Sequence, residues 1–175
     1  MHLPAVHEYP KATYFVEYLQ FEENSNLFDI FKKQTNDLNT TFNSLTDTKA
    51  NESYLAGKWT LKEVLGHMVD TERIFSYRLL CISRQEKQVL PGFDENEYQM
   101  NSGYGTQDIE AVLKQYYSTR MSTIDLLNFL STSQWDQKGI VNGNEVSVRA
   151  LAWMIAGHEK HHIQVIKERY LIQNP

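Results

Sequence analysis

The chain has 175 residues, 41% of them hydrophobic and 12% aromatic, which is enough to bury one ordinary core and too little to suggest two. Lys and Arg number 17 against 22 Asp and Glu, giving a net charge of −5, and no basic stripe stands ready to neutralise a phosphate backbone, so nucleic acid is not an expected partner. A lone cysteine, Cys81, excludes an internal disulfide; an N-terminus without a charged-then-apolar leader and the lack of any long apolar run predict a soluble cytoplasmic protein with no membrane span.

Taken in chain order, periodicity predicts four long helices in one domain over 1–175, at about 25–45, 60–84, 107–131 and 148–172. The first places Leu27, Phe31, Leu38, Phe42 and Leu45 at three-, four- and seven-residue steps, which line up on one helical face. The second opens on the capping box Thr60-x-x-Glu63 and carries Leu61, Leu65, Met68, Phe75 and Leu79 on its apolar face. The third is expected to start at a Thr106 cap, with Ile109, Leu113, Tyr116, Leu127 and Leu130 facing inward. Asn142-Gly143 has the chemistry of a tight hairpin turn, and Ser147 can cap the last helix. Between the second and third helices lie about 20 residues containing Pro91, Gly92, Gly103 and Gly105, long enough to cross the molecule and let those helices run parallel.

Histidines interrupt these apolar faces. On the last helix Val148, Leu151, Ile155, His158, His162 and Val165 form one unbroken seam, from which His161 departs. On the second, His67 sits among Val64, Thr71 and Ile74 on or beside the core face. Imidazoles four apart on a helix have Cβ atoms about 5–6 Å apart and can share one divalent ion, whereas burying a ring nitrogen without a partner costs about 1–3 kcal/mol. The competing explanation is that these rings fill core gaps or hydrogen-bond locally. Two of them lie in His158-Glu159-x-x-His162, the H-E-x-x-H pattern of zinc proteases. Such a protease commonly takes its third ligand downstream, either a histidine six residues after the second and preceded by a glycine or a glutamate further along. Here the six-residue position is Glu168 and the glycine position is Val165. The third ligand is therefore expected upstream, with His67 the best candidate.

Other polar residues have two readings each. Arg120 falls on the seam of the third helix, where it would hold a substrate carboxylate or phosphate, or pair with Asp70 or Glu72. Glu159 is a candidate base toward an attacking water, and Glu159 and Asp70 are candidates to orient ligand rings; surface charge is the commoner fate of both. Cys81 reads as a small core filler, and Tyr98, Tyr104, Tyr116 and Tyr117 as a pocket mouth or as packing.

The stretches GKWTLKEVLGHMVDTER, SYRLL, PGFDENEY and VRALAWMIAGHEKHH, with their spacing, resemble the DinB family, particularly its YfiT-type branch of metal-dependent hydrolases. The resemblance covers the second helix to the C-terminus well and the first helix loosely. It implies an all-α, up-down-down-up four-helix bundle holding one divalent metal on His67, His158 and His162, in a homodimer. It further implies chemistry on a small-molecule substrate, with bacillithiol or mycothiol as the low-molecular-weight thiol in characterised relatives. Two function classes are expected on these grounds: an enzyme, hydrolase or thiol transferase, that activates water or thiol at an open coordination position, and a non-catalytic metal-binding stress-response bundle. Zinc or nickel is expected ahead of iron, and copper also suits imidazole.

Overall fold

The computed structural model describes residues 1–42 and 45–171. Its long helices begin where side chains satisfy the first free N–H groups. The Thr60 hydroxyl accepts from the Glu63 N–H at 3.3 Å and the Glu63 carboxylate from the Thr60 N–H at 2.7 Å, starting Leu61–Ser83. Ser147 accepts from the Ala150 N–H at 2.9 Å and starts Val148–Arg169.

In chain order the helices are α1 (Thr13–Tyr18), α2 (Leu27–Phe42), α3 (Asp47–Ala50), α4 (Leu61–Ser83), α5 (Glu95–Ser102), α6 (Ile109–Asn128), α7 (Thr132–Trp135) and α8 (Val148–Arg169). Strands β1 (Lys138–Val141) and β2 (Asn144–Ser147) form an antiparallel hairpin. Asn142 and Gly143 turn it with φ of 49° and 76°, the left-handed pair that an Asn-Gly hairpin adopts. The expected ends of the first helix across residues 43–44 and of the last at Ile172 lie outside the described residues.

Contacts along the helices fix their directions. Lys62 reaches the Gln107 carbonyl just before α6, Arg73 meets Gln115 and Glu72 meets Arg120, so α4 and α6 run parallel. His67 meets His158, and Trp59, before α4, accepts from Tyr170 beyond α8, so those helices run antiparallel. Leu27 and Phe31 share an apolar cluster with Trp153, Gln34 donates to the Ala156 carbonyl, and Leu38 and Phe42 share a second cluster with Ile166 and Tyr170, so α2 and α8 are parallel. The arrangement is an up-down-down-up four-helix bundle.

The third long helix does not start at Thr106. Thr106 lies in a 3₁₀ turn and its hydroxyl bonds the Gly103 carbonyl, while Asp47 of α3 accepts from the Ile109 N–H at 2.8 Å. A carboxylate from a distant helix thus supplies the cap that local spacing placed at Thr106. The crossover carries α5, capped by Asp94 and ended by Gly103 at φ 74°, and is pinned to the hairpin by bonds between Leu90 and the backbone of Ile140 and Asn142, both 2.9 Å.

Two apolar clusters fill the bundle. One gathers Phe15, Phe31, Phe75, Trp153 and Ile155; the other gathers Leu38, Leu65, Met68, Tyr116 and Ile166. Between them runs a polar layer of His67, Thr71, Glu72, Arg120, His158 and Glu159, each less than 7% exposed. Buried charge is retained there only with partners, and those partners define the site.

Candidate metal centre

α4 and α8 bring three imidazoles to one point. His158 Nε2 stands 3.0 Å from His67 Nε2 and 3.0 Å from His162 Nε2, and ligand atoms of all three lie within 4.8 Å of one another. An imidazole Nε2 carries either one hydrogen or one lone pair, so His158 cannot make a well-aligned hydrogen bond to both neighbours. A single cation shared by the three nitrogens satisfies all of them, and this donor set fits a divalent metal. His161 is exposed, its ring 5.7 Å from that of Tyr18.

Burial prepares the rings for that role. Desolvation lowers the His67 pKa to about 4, and desolvation followed by the neighbouring imidazoles lowers that of His162 to about 3 and His158 well below its usual value. The rings are thus neutral at neutral pH, the protonation state in which imidazole ligates a metal. Trp59 packs on His67 at 5.0 Å between ring centroids, and Tyr18 meets His158 edge-on at 5.6 Å. Tyr18 can come so close because α8 carries Gly157 at the crossing, where a Cβ would sit 1.8 Å from the Tyr18 carbonyl oxygen.

Arg120 is 1% exposed and binds two carboxylates. Its Nε and Nη2 donate to Glu72 at 2.9 and 2.8 Å, and Nη2 donates to Glu159 at 2.5 Å. The Tyr116 hydroxyl donates to both Glu159 oxygens at 3.0 Å. Burial raises the Glu159 pKa against the opposing pull of Arg120. Of the two pairings the sequence offered Arg120, Glu72 is realised; Asp70 instead accepts from Tyr104 at 2.8 Å and Arg73 at 3.2 Å. Tyr98 is half-exposed on α5, Tyr117 bonds Asn39, and Cys81 is a partly buried packing residue.

A cavity of about 400 Å³ opens in front of His67 and His158, lined among others by Thr71, Phe75, Arg78 and Tyr18. Neither Arg120 nor Glu159 lines it. A second cavity of about 10 Å³, room for roughly one water, lies between His158, Thr71 and the Glu72 and Glu159 carboxylates. Thr71, one turn after His67, is 3% exposed and its hydroxyl has no hydrogen-bond partner among the described residues. Thr71 and Arg78 were not singled out from the sequence as site residues. The available signal was their place on the His67 stripe of α4.

Comparison with known proteins agrees with this architecture. The model of the DinB superfamily matches residues 30–166, and the chain belongs to that superfamily. Among relatives, a protein of Oceanobacillus iheyensis bearing the name "Putative metal-dependent hydrolase OB0413" is 29% identical over 157 residues, covering 85% of this chain and 90% of its own. A second protein of that organism with the same designation, OB0782, is 27% identical over 128 residues, covering 72% of this chain and 73% of its own. Among solved structures, YfiT from Bacillus subtilis, described as a probable metal-dependent hydrolase with an unusual four-helix bundle topology, superposes with a TM-score of 0.73 at 19% identity, over 92% of this chain and 94% of its own. A mycothiol-dependent maleylpyruvate isomerase shares the fold at a TM-score of 0.65 and 14% identity, over 80% of this chain and 60% of its own.

Proposed function

We propose that this chain is a metal-dependent enzyme in which His67, His158 and His162 hold one divalent ion and act on a small molecule, by hydrolysis or by transfer of a low-molecular-weight thiol. The observation that carries the reading is the convergence of three imidazoles, His67 and His158 buried and His162 partly so, beside a cavity of about 400 Å³. A divalent ion held there supplies Lewis-acid activation, making a nucleophile of water or thiol near neutral pH. The chain's residues do the rest. Burial keeps the three rings neutral, and Trp59, Tyr18 and Phe75 exclude bulk water around them. Glu72, Arg120 and Glu159 join α4, α6 and α8 at the level of the histidines and hold the two ligand-bearing helices in register. Glu159, engaged by Arg120 and Tyr116, is assigned to positioning. Arg120, whose charge is already matched, is assigned to the same role in place of substrate binding.

The names of the relatives support hydrolysis, and the isomerase that shares the fold supports a thiol co-substrate. The adjoining cavity favours an enzyme over a bundle with a purely structural ion, because a closed structural site has no use for solvent-connected space. The test is turnover of a small ester, and of a small electrophile with added bacillithiol or mycothiol, by protein loaded with zinc or nickel and by chelated protein. A rate that appears with metal and vanishes with chelator supports the reading. A fully loaded protein that turns over neither substrate returns the chain to the non-catalytic class.

A further inference from the structure

Among the described residues four cations are nine-tenths buried or more, and three of them have a carboxylate. Arg120 pairs with Glu72 and Glu159, Arg149 with Glu8 and Asp136, and Lys62 with Asp47. The fourth, Arg78, is 6% exposed and has no carboxylate within ion-pair distance among the described residues. Its Nη2 donates to the Pro91 carbonyl at 2.7 Å, and its guanidinium carbon lies 5.4 and 5.8 Å from the ring centroids of Phe75 and Phe93. One carbonyl and two ring faces orient a guanidinium, but they leave its charge uncompensated and most of its donors unused.

What Arg78 faces is the cavity that opens in front of His67 and His158. His67, Thr71, Phe75 and Arg78 follow one another on α4 at steps of four, four and three, a single stripe about 16 Å long. Phe75 relates the two ends, its centroid 6.5 Å from the His158 ring and 5.4 Å from the Arg78 guanidinium carbon. Between them the buried Thr71 hydroxyl lines the same cavity and lacks a partner among the described residues. The cavity floor thus reads, from one end, imidazole, hydroxyl, aromatic face, guanidinium.

We propose that Arg78 is the anion-recognition residue of this cavity and that the substrate is a small monocarboxylate, its carboxylate on the Arg78 guanidinium and its reactive end at His67 and His158. The placement of the reactive end rests on the metal-site reading above; the anion site does not. A planar guanidinium with free donors matches a planar carboxylate. A single fixed positive charge matches one negative charge, and Glu95, also on the cavity lining, opposes a dianion such as phosphate.

The experiment is calorimetric titration of two probe pairs. Cobalt-loaded protein is titrated with 6-mercaptohexanoate and with the neutral 6-mercaptohexanol; chelated protein is titrated with hexanoate and with hexanol. In each pair the acid is expected to bind about tenfold tighter than the alcohol. Arg78→Met is expected to erase that preference without changing the alcohol's affinity or the metal content, and Arg78→Lys to retain part of it. Equal affinity of acid and alcohol in the wild type overturns the proposal, as does a preference that survives Arg78→Met. If neither thiol perturbs the cobalt spectrum while hexanoate still binds through Arg78, the metal-site reading fails and the anion site stands. If both thiols bind cobalt equally well and hexanoate gains nothing over hexanol, the anion site fails and the metal-site reading stands.

Discussion

His67 and His158 face each other across the α4–α8 seam with their Nε2 atoms 3.0 Å apart, although 91 residues separate them in the chain. Neither ring can be removed without breaking the donor set. His158→Ala is therefore expected to weaken divalent-metal binding by about 100-fold or more, read as metal per chain after dialysis against a weak chelator. His161→Ala, on the same helix but exposed, is expected to leave it unchanged.

Arg120 sits between Glu72 and Glu159 with all three side chains under 5% exposed. Arg120→Met leaves two buried carboxylates without their cation and is expected to cost about 3–5 kcal/mol of stability, measured by urea denaturation. Exchanging all three for apolar residues of similar size is expected to cost much less, because the desolvation penalty leaves with the charges.

How far these features can be read from the sequence depends on whether the signal is local. The three-, four- and seven-residue steps of Leu27, Phe31 and Leu38, or of Leu151, Ile155 and His158, encode which face of a helix points inward, and they place His158 and His162 on that face and His67 on or beside it. Capping by Thr60 and Ser147 is equally local. The cap that Asp47 gives to Ile109 joins two elements, and spacing near Thr106 carries no trace of it. α5 escaped because its only buried residue is Gln99, so no apolar period marks it. Arg78 escaped for a different reason: its significance lies in the carboxylate it does not meet.

Metal-free protein should lose stability in acid. The His67 pKa is lowered by burial to about 4, from about 6.5 in the unfolded chain, so between those values the unfolded state binds more protons. Stability is then fully present above about pH 6.5 and falls as pH drops toward 4, by about 3 kcal/mol for this ring alone. Glu159, whose pKa burial raises, works in the opposite sense. The histidine contribution is therefore read as the difference in pH slope between chelated wild type and His67→Gln, which is expected to be the flatter of the two.

Gly157 lets the Tyr18 backbone lie directly on α8 beside His158. Gly157→Ala places a methyl group 1.8 Å from the Tyr18 carbonyl oxygen, so α1 must move away. The expected outcome is a loss of about 1–3 kcal/mol in thermal or chemical denaturation, with faster exchange of the Leu19 amide, which bonds the α1 carbonyls.

X-ray absorption at the metal edge of protein loaded with one equivalent of zinc tests the centre most directly. Three imidazole nitrogens at about 2.0–2.1 Å, with the remaining ligand exchanged by an added thiol for sulfur, is the predicted result. A shell with fewer than three imidazoles, or one closed by a fourth protein ligand that no thiol displaces, would contradict it.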